Sequence, residues 1–113
     1  MSPEQFVNGF RKLKDELVTG YIEAPNLYAG GAKVTEMGLV PGQTELLREV
    51  LNLALTDALY SVLLALDGCA SLGGEQHLYE IRDQDGNRID GELEGLAYEA
   101  FQLDAETQTP RKP

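Results

Sequence analysis

The chain has one cysteine, one histidine, no tryptophan and only nine basic residues in 113. A single cysteine, Cys69, rules out an intrachain disulfide and fits a reducing compartment. It also removes the paired Cys and His spacings of a structural zinc site. The scarcity of bases, against nineteen acids, gives a formal charge of −10 and argues against nucleic acid or anionic lipid as a ligand. The first residues carry no basic stretch followed by an apolar one, so no secretory signal is expected and the chain reads as cytoplasmic. No internal repeat or low-complexity tract is present. The composition is that of a globular chain, 42% hydrophobic and 25% charged, long enough to bury a core without staples.

The strongest feature present is residues 46–66, almost continuously apolar. Their length would suit a membrane span, but Arg48, Glu49, Asn52 and Asp57 interrupt them, and each charge near a bilayer centre costs about 2.5–3.5 kcal/mol. The expectation is a long buried central helix, starting near Gln43 and ended by Asp67 and Gly68. Glu45, Glu49, Asn52, Thr56 and Tyr60 form its narrow polar ridge. So wide an apolar arc requires cover on several sides, and any surplus favours a symmetric homodimer.

Other elements follow from periodicity. Ser2, Pro3 and Gln5 carry a capping box and an N1 proline, so a helix is expected over residues 2–18 with Phe6, Phe10, Leu13, Leu17 and Tyr21 inward and Gly20 as its stop. In residues 23–42, segments 27–29 and 33–35 are expected to flank a Gly30-Gly31 turn, as short edge strands or as one strand and a loop. Residues 76–82 alternate, residues 83–87 have turn composition, and Arg88-Ile89 return, which predicts an antiparallel hairpin. Asp90, Glu92 and Glu94 then lead a helix with Leu93, Leu96, Ala97, Ala100 and Phe101 inward. The predicted fold is α+β: an N-terminal helix, the buried central helix, a small antiparallel hairpin or sheet, and a C-terminal helix. Residues 1–104 form one domain, and residues 105–113 a frayed polar tail.

Three constellations bear on function. The run from Asp83 to Glu92 resembles an EF-hand calcium loop, with acids at alternate positions followed by glycine. However, it is one residue short, and its flank is strand-like where a helix is needed. A turn explains the same residues without a metal, so no metal and no cofactor is expected. Cys69 and His77 are the only pair able to run a thiol mechanism. Against it stand the bland roles of a small apolar cysteine and a hydrogen-bonded histidine, and the negative end of the preceding helix. The 68–74 glycine-rich stretch lacks a P-loop lysine and runs from helix to strand, the wrong order for a phosphate cradle. Asp57, at the edge of the polar ridge, is either a partly buried carboxylate with a raised pKa, or one satisfied by a neighbour such as Ser61, or one that points to solvent.

Charge is unevenly placed. Residues 1–48 carry six acids and five bases, whereas residues 49–106 carry thirteen acids and two bases, a net of −11. The expectation is a protein-interaction module, inhibitor- or immunity-like, that receives a basic partner on Asp83, Asp85, Asp90, Glu92 and Glu94. The alternatives are a solvated acidic face with no partner, a Cys69/His77 enzyme and a metal-binding hairpin.

Overall fold

A computed structural model describes residues 1–103; the expected tail lies outside these described residues. The chain is helical: α1 Pro3–Glu23, α2 Ala29–Glu36, α3 Pro41–Leu66 and α4 Leu93–Ala97, the last continuing into a π-helical segment, Tyr98–Leu103. The expected α+β class is therefore wrong. Among the described residues there is no sheet and no hairpin of strands, only the isolated bridges Leu72–Glu75 and Arg82–Arg88. The cause is local. Asp83 and Asp90 offer side-chain acceptors to backbone N–H groups that a ladder would otherwise pair. Thus Ile81 N–H donates to Asp90 Oδ1 at 3.0 Å, and Asp85 and Asn87 N–H both donate to Asp83 Oδ1 at 2.9 Å.

Contacts divide the chain into two compact units. The first comprises Met1–Arg11 and the described residues from Ala58 on; the second is Lys12–Asp57. α1 and α3 each contribute to both. The capping box closes as expected: Ser2 N–H donates to Gln5 Oε1 at 2.8 Å, and Gln5 N–H to Ser2 Oγ at 3.1 Å.

The first unit has a continuous apolar core of Val7, Leu63, Ile89, Leu93, Ala97 and Phe101. Phe6, Phe10, Leu59, Tyr60, Leu66, Ile81, Leu96 and Ala100 pack against it, with Phe6 and Phe10 edge to face at 5.2 Å. Two links join the end of α3 to the start of α4. Gly68, at φ +76°, turns the chain out of the helix. Asp67 then accepts the N–H groups of Gly91 and Glu94, the latter at 3.1 Å. Since Glu92 makes no side-chain cap of its own, Asp67 serves as the cap of α4 from a distance in sequence.

The second unit corrects three expectations. α1 runs through Gly20, and the Gly30-Gly31 pair lies inside α2 rather than in a turn. Gly31 is buried, and a Cβ there would stand 2.8 Å from Pro25 Cα, so close backbone approach explains the glycine. Tyr21 and Tyr28 stack edge to face at 5.6 Å, and Arg48 ties Glu23 to α3 at 3.2 Å. Helix α3 starts at Pro41, in the favoured N1 position, with Val40 N–H capped by Gln43 Oε1. It is not the buried helix expected. Only 17% of its most apolar window is buried, and Leu46, Val50 and Leu53 are more than half exposed. By length and composition α3 is apolar enough to cross a membrane, a test that the core helix of a soluble protein also passes.

Candidate functional site

The acidic segment of residues 80–94 is fixed by its own carboxylates. Asp83 Oδ2 accepts the Met1 ammonium at 2.7 Å and the Asn87 side-chain amide at 3.2 Å, while its Oδ1 takes the two backbone donors described above. Gly86 N–H closes the turn on Asp83 C=O at 3.0 Å. The Met1 ammonium first, and then the Asn87 backbone N–H, hold the Asp83 carboxyl well below the ordinary carboxylate range. Asp90 behaves alike: Arg88 foremost, then the Ile81 N–H, lower it well below that range. Arg82 is bound to Glu80 and to the Gly86 carbonyl.

The five acids expected to meet a partner therefore differ. The side chains of Asp83 and Asp90 are only 9% and 8% exposed, and their oxygens are occupied inside the segment. Asp85, at the turn, and Glu92, before α4, are exposed and form no ion pair among the described residues. Glu94 is exposed and accepts a hydrogen bond from Cys69 Sγ at 2.9 Å.

Beside this segment lies an open groove of about 360 Å³. Phe6, Ile81 and Ile89 give it an apolar floor, Asp83 and Asp85 acidic groups at its rim, and Met1, Arg82 and Gln84 complete the lining. Sequence reasoning missed the groove because Phe6 and Ile81 lie far apart in the chain. The alternation of residues 76–82 also pointed to a strand rather than a wall.

The thiol pair is not assembled. Cys69 is exposed and donates to Glu94, and more distantly to the Asp67 carbonyl at 3.6 Å. Its hydrogen bond to the Glu94 carboxylate, followed by desolvation and the Glu94 and Asp67 charges, pushes the thiol up to about 11. His77 is exposed, lies 3.8 Å from Glu75 and stands edge-on to Tyr79 at 6.3 Å between ring centroids. The calcium-like loop is filled by its own donors. Among the described residues no three His, Cys, Asp or Glu side chains gather as a metal site. Asp57 is exposed on α3. No family model, curated protein or solved structure matches the chain.

Proposed function

We propose that the chain is a small protein-interaction module, inhibitor- or immunity-like in type, that receives a basic side chain of a partner in the groove beside residues 81–89. One observation carries the reading: the apolar floor of Phe6, Ile81 and Ile89 is bordered by the exposed Asp85 carboxylate, which feels the charge of the Met1 ammonium but makes no close ion pair among the described residues. A lysine or arginine has this character, an aliphatic stem with a charged tip. Asp83 and Asp90 hold the segment in shape, so little ordering cost falls on binding. Asp85, Glu92 and Glu94 present the charge that steers the encounter, and binding weakens with salt. The module is assigned to the cytoplasm. The charges Arg48, Glu49 and Asp57 within α3, and the placement of Leu63 and Ala65 in a buried core, support that over a membrane span.

The test is affinity capture from host lysate at low and high salt with wild type and an Asp85→Asn/Glu92→Gln variant, leaving Asp83 and Asp90 intact. A basic protein retained by wild type at low salt, and lost both in the variant and at high salt, supports the proposal. Identical captures by the two proteins reduce the acidic face to a solubility device.

A further inference from the structure

We propose that the partner presents its basic side chain from an extended segment, and that this segment adds as a strand along the main chain of residues 78–82. The inference rests on the basic-partner reading and names how that partner is held. Residues 76–80 carry no turn or bend. Their side chains meet at two-residue steps, as on an extended chain: His77 with Tyr79 at 6.3 Å, and Glu80 with Arg82. The main chain alternates in the same way. Ile89 N–H donates to the Ile81 carbonyl at 2.8 Å, Asp83 N–H to the Asn87 carbonyl at 3.0 Å, and Ile81 N–H to Asp90 Oδ1 at 3.0 Å. A Cβ on Gly68 would stand 3.6 Å from the His77 carbonyl oxygen, so that group also faces the body of the chain. The two backbone bonds at Ile81 and Asp83 flank the Arg82–Arg88 bridge, so the N–H and C=O of Arg82 point the other way. Those of Leu78 and Glu80 share that outward direction. None of these outward groups has a hydrogen-bond partner among the described residues, and Leu78 is 90% exposed.

Charge and geometry select the occupant. Residues 75–94 hold seven acids and two bases, and both bases are bound within the segment, Arg82 to Glu80 and Arg88 to Asp90. This field attracts a basic strand and repels a second copy offering the same edge. An added strand lies about 4.8 Å from residues 78–82, and side chains directly opposite each other share a face. The side chain level with Ile81 therefore emerges where Phe6, Ile81 and Ile89 floor the groove. A lysine there lays its stem over that floor and carries its ammonium toward Asp85. Main-chain pairing supplies affinity without regard to sequence, and the groove supplies the preference for a base. A partner helix fits less well, because it satisfies its own main chain and would leave the outward groups of Leu78, Glu80 and Arg82 unused.

The experiment is an amide NMR titration of the full chain with the peptide acetyl-(Thr-Lys)₃-Thr-amide, up to about 5 mM peptide, at about 20 mM salt. It uses wild type, Asp85→Asn, Glu80→Gln and Glu80→Pro, with far-UV circular dichroism as the fold control. Glu80→Gln removes only the charge, whereas Glu80→Pro also removes the outward N–H, so the two together isolate the main-chain donor. With wild type, the amides of Leu78, Glu80 and Arg82 are expected to shift together with that of Asp85 and to exchange with solvent more slowly. Glu80→Pro is expected to bind at least about fivefold more weakly than Glu80→Gln, and Asp85→Asn more weakly than wild type. Binding lost in Asp85→Asn but equal in Glu80→Pro and Glu80→Gln overturns strand addition and leaves the basic-partner reading standing. Binding that falls in Glu80→Pro but not in Asp85→Asn supports strand addition and overturns the groove reading beneath it. Unmoved amides at the highest peptide concentration overturn the proposal, as does a wild type that pairs with itself through these amides before peptide is added. Should Glu80→Pro not fold, two further probes decide: the peptide N-methylated at every lysine, and the peptide N-methylated at every threonine. Only one of these alternate sets of N–H groups faces the edge, so one peptide should lose binding and the other keep it, and equal affinities overturn the proposal.

Discussion

Replacing Glu94 with glutamine should accelerate modification of Cys69. The thiol is exposed, so access does not limit its reaction; its protonation does. In the native chain the Glu94 carboxylate, 2.9 Å from Sγ, stabilises the protonated thiol and repels the thiolate, pushing the pKa from 9.0 up to about 11. Two pH units remove thiolate at neutral pH by about a hundredfold. The more basic thiolate regains about six- to tenfold in intrinsic nucleophilicity. The native protein should therefore react about ten- to fifteenfold more slowly than the same chain unfolded in urea. Glu94→Gln removes the charge while keeping the size and an acceptor oxygen, and should recover most of that factor. The assay is the second-order rate with an aromatic disulfide reagent at pH 7.5, together with a rate–pH titration of the thiol. A native rate at or above the unfolded rate, with an apparent thiol pKa below about 8, would refute the reasoning and revive a Cys69-centred chemistry.

The two glycines Gly9 and Gly31 should respond oppositely to alanine. Gly9→Ala, in open space within α1, should stabilise by about 1 kcal/mol, and Gly31→Ala, facing Pro25 at 2.8 Å, should destabilise by about 1–3 kcal/mol, as read from urea midpoints. Asp67→Ala should cost about 1–2 kcal/mol by uncapping Gly91 and Glu94, with Asp67→Asn milder. Asp83 and Asp90 have folded pKa values depressed below their unfolded ones, so their stabilisation is complete above about pH 4 and is lost as pH falls through the depressed values. Asp90→Asn should therefore flatten the acid limb of a stability–pH profile, and an unchanged limb would count against the Arg88 and Ile81 contacts.

What could be read from the sequence was what local rules decide. The capping box of Ser2 and Gln5, the N1 proline of α1, and the inward set Leu93, Ala97 and Phe101 depend on neighbours a few residues away, and they stand as expected. The errors arose where distant contacts overrode local preference. Gly20 and Gly31 read as breakers, yet both are helical, and the missing side chains are what admit Tyr28 and Pro25 so close. Leu13 read as part of the inward stripe of α1, yet it is 42% exposed; the buried residues of that helix include Val7, Lys14 and Val18. The alternation of residues 76–82 counted as strand only by assuming a buried face, and residues 76–80 are all exposed.

The site was legible in composition but not in arrangement, and the difference changes what the net charge means. A formal count treats Asp83, Asp85, Asp90, Glu92 and Glu94 as equal contributors to an attractive surface. Their oxygens are not equal. Four donors, one of them charged, converge on Asp83, and Arg88 with the Ile81 N–H occupies Asp90. A partner that took either carboxylate would have to displace those donors and unfasten the turn. The charge open to a partner is that of Asp85 and Glu92, with Glu94 shared with a thiol. Long-range steering still follows the whole excess of acid, because the field sums over every charge, whereas contact specificity falls to the two or three carboxylates whose lone pairs remain open. Neutralising Asp85 and Glu92 should thus lower the stability of a complex more than neutralising any other pair of acids on the segment. Neutralising Asp83 and Asp90 should act first on the fold of the turn.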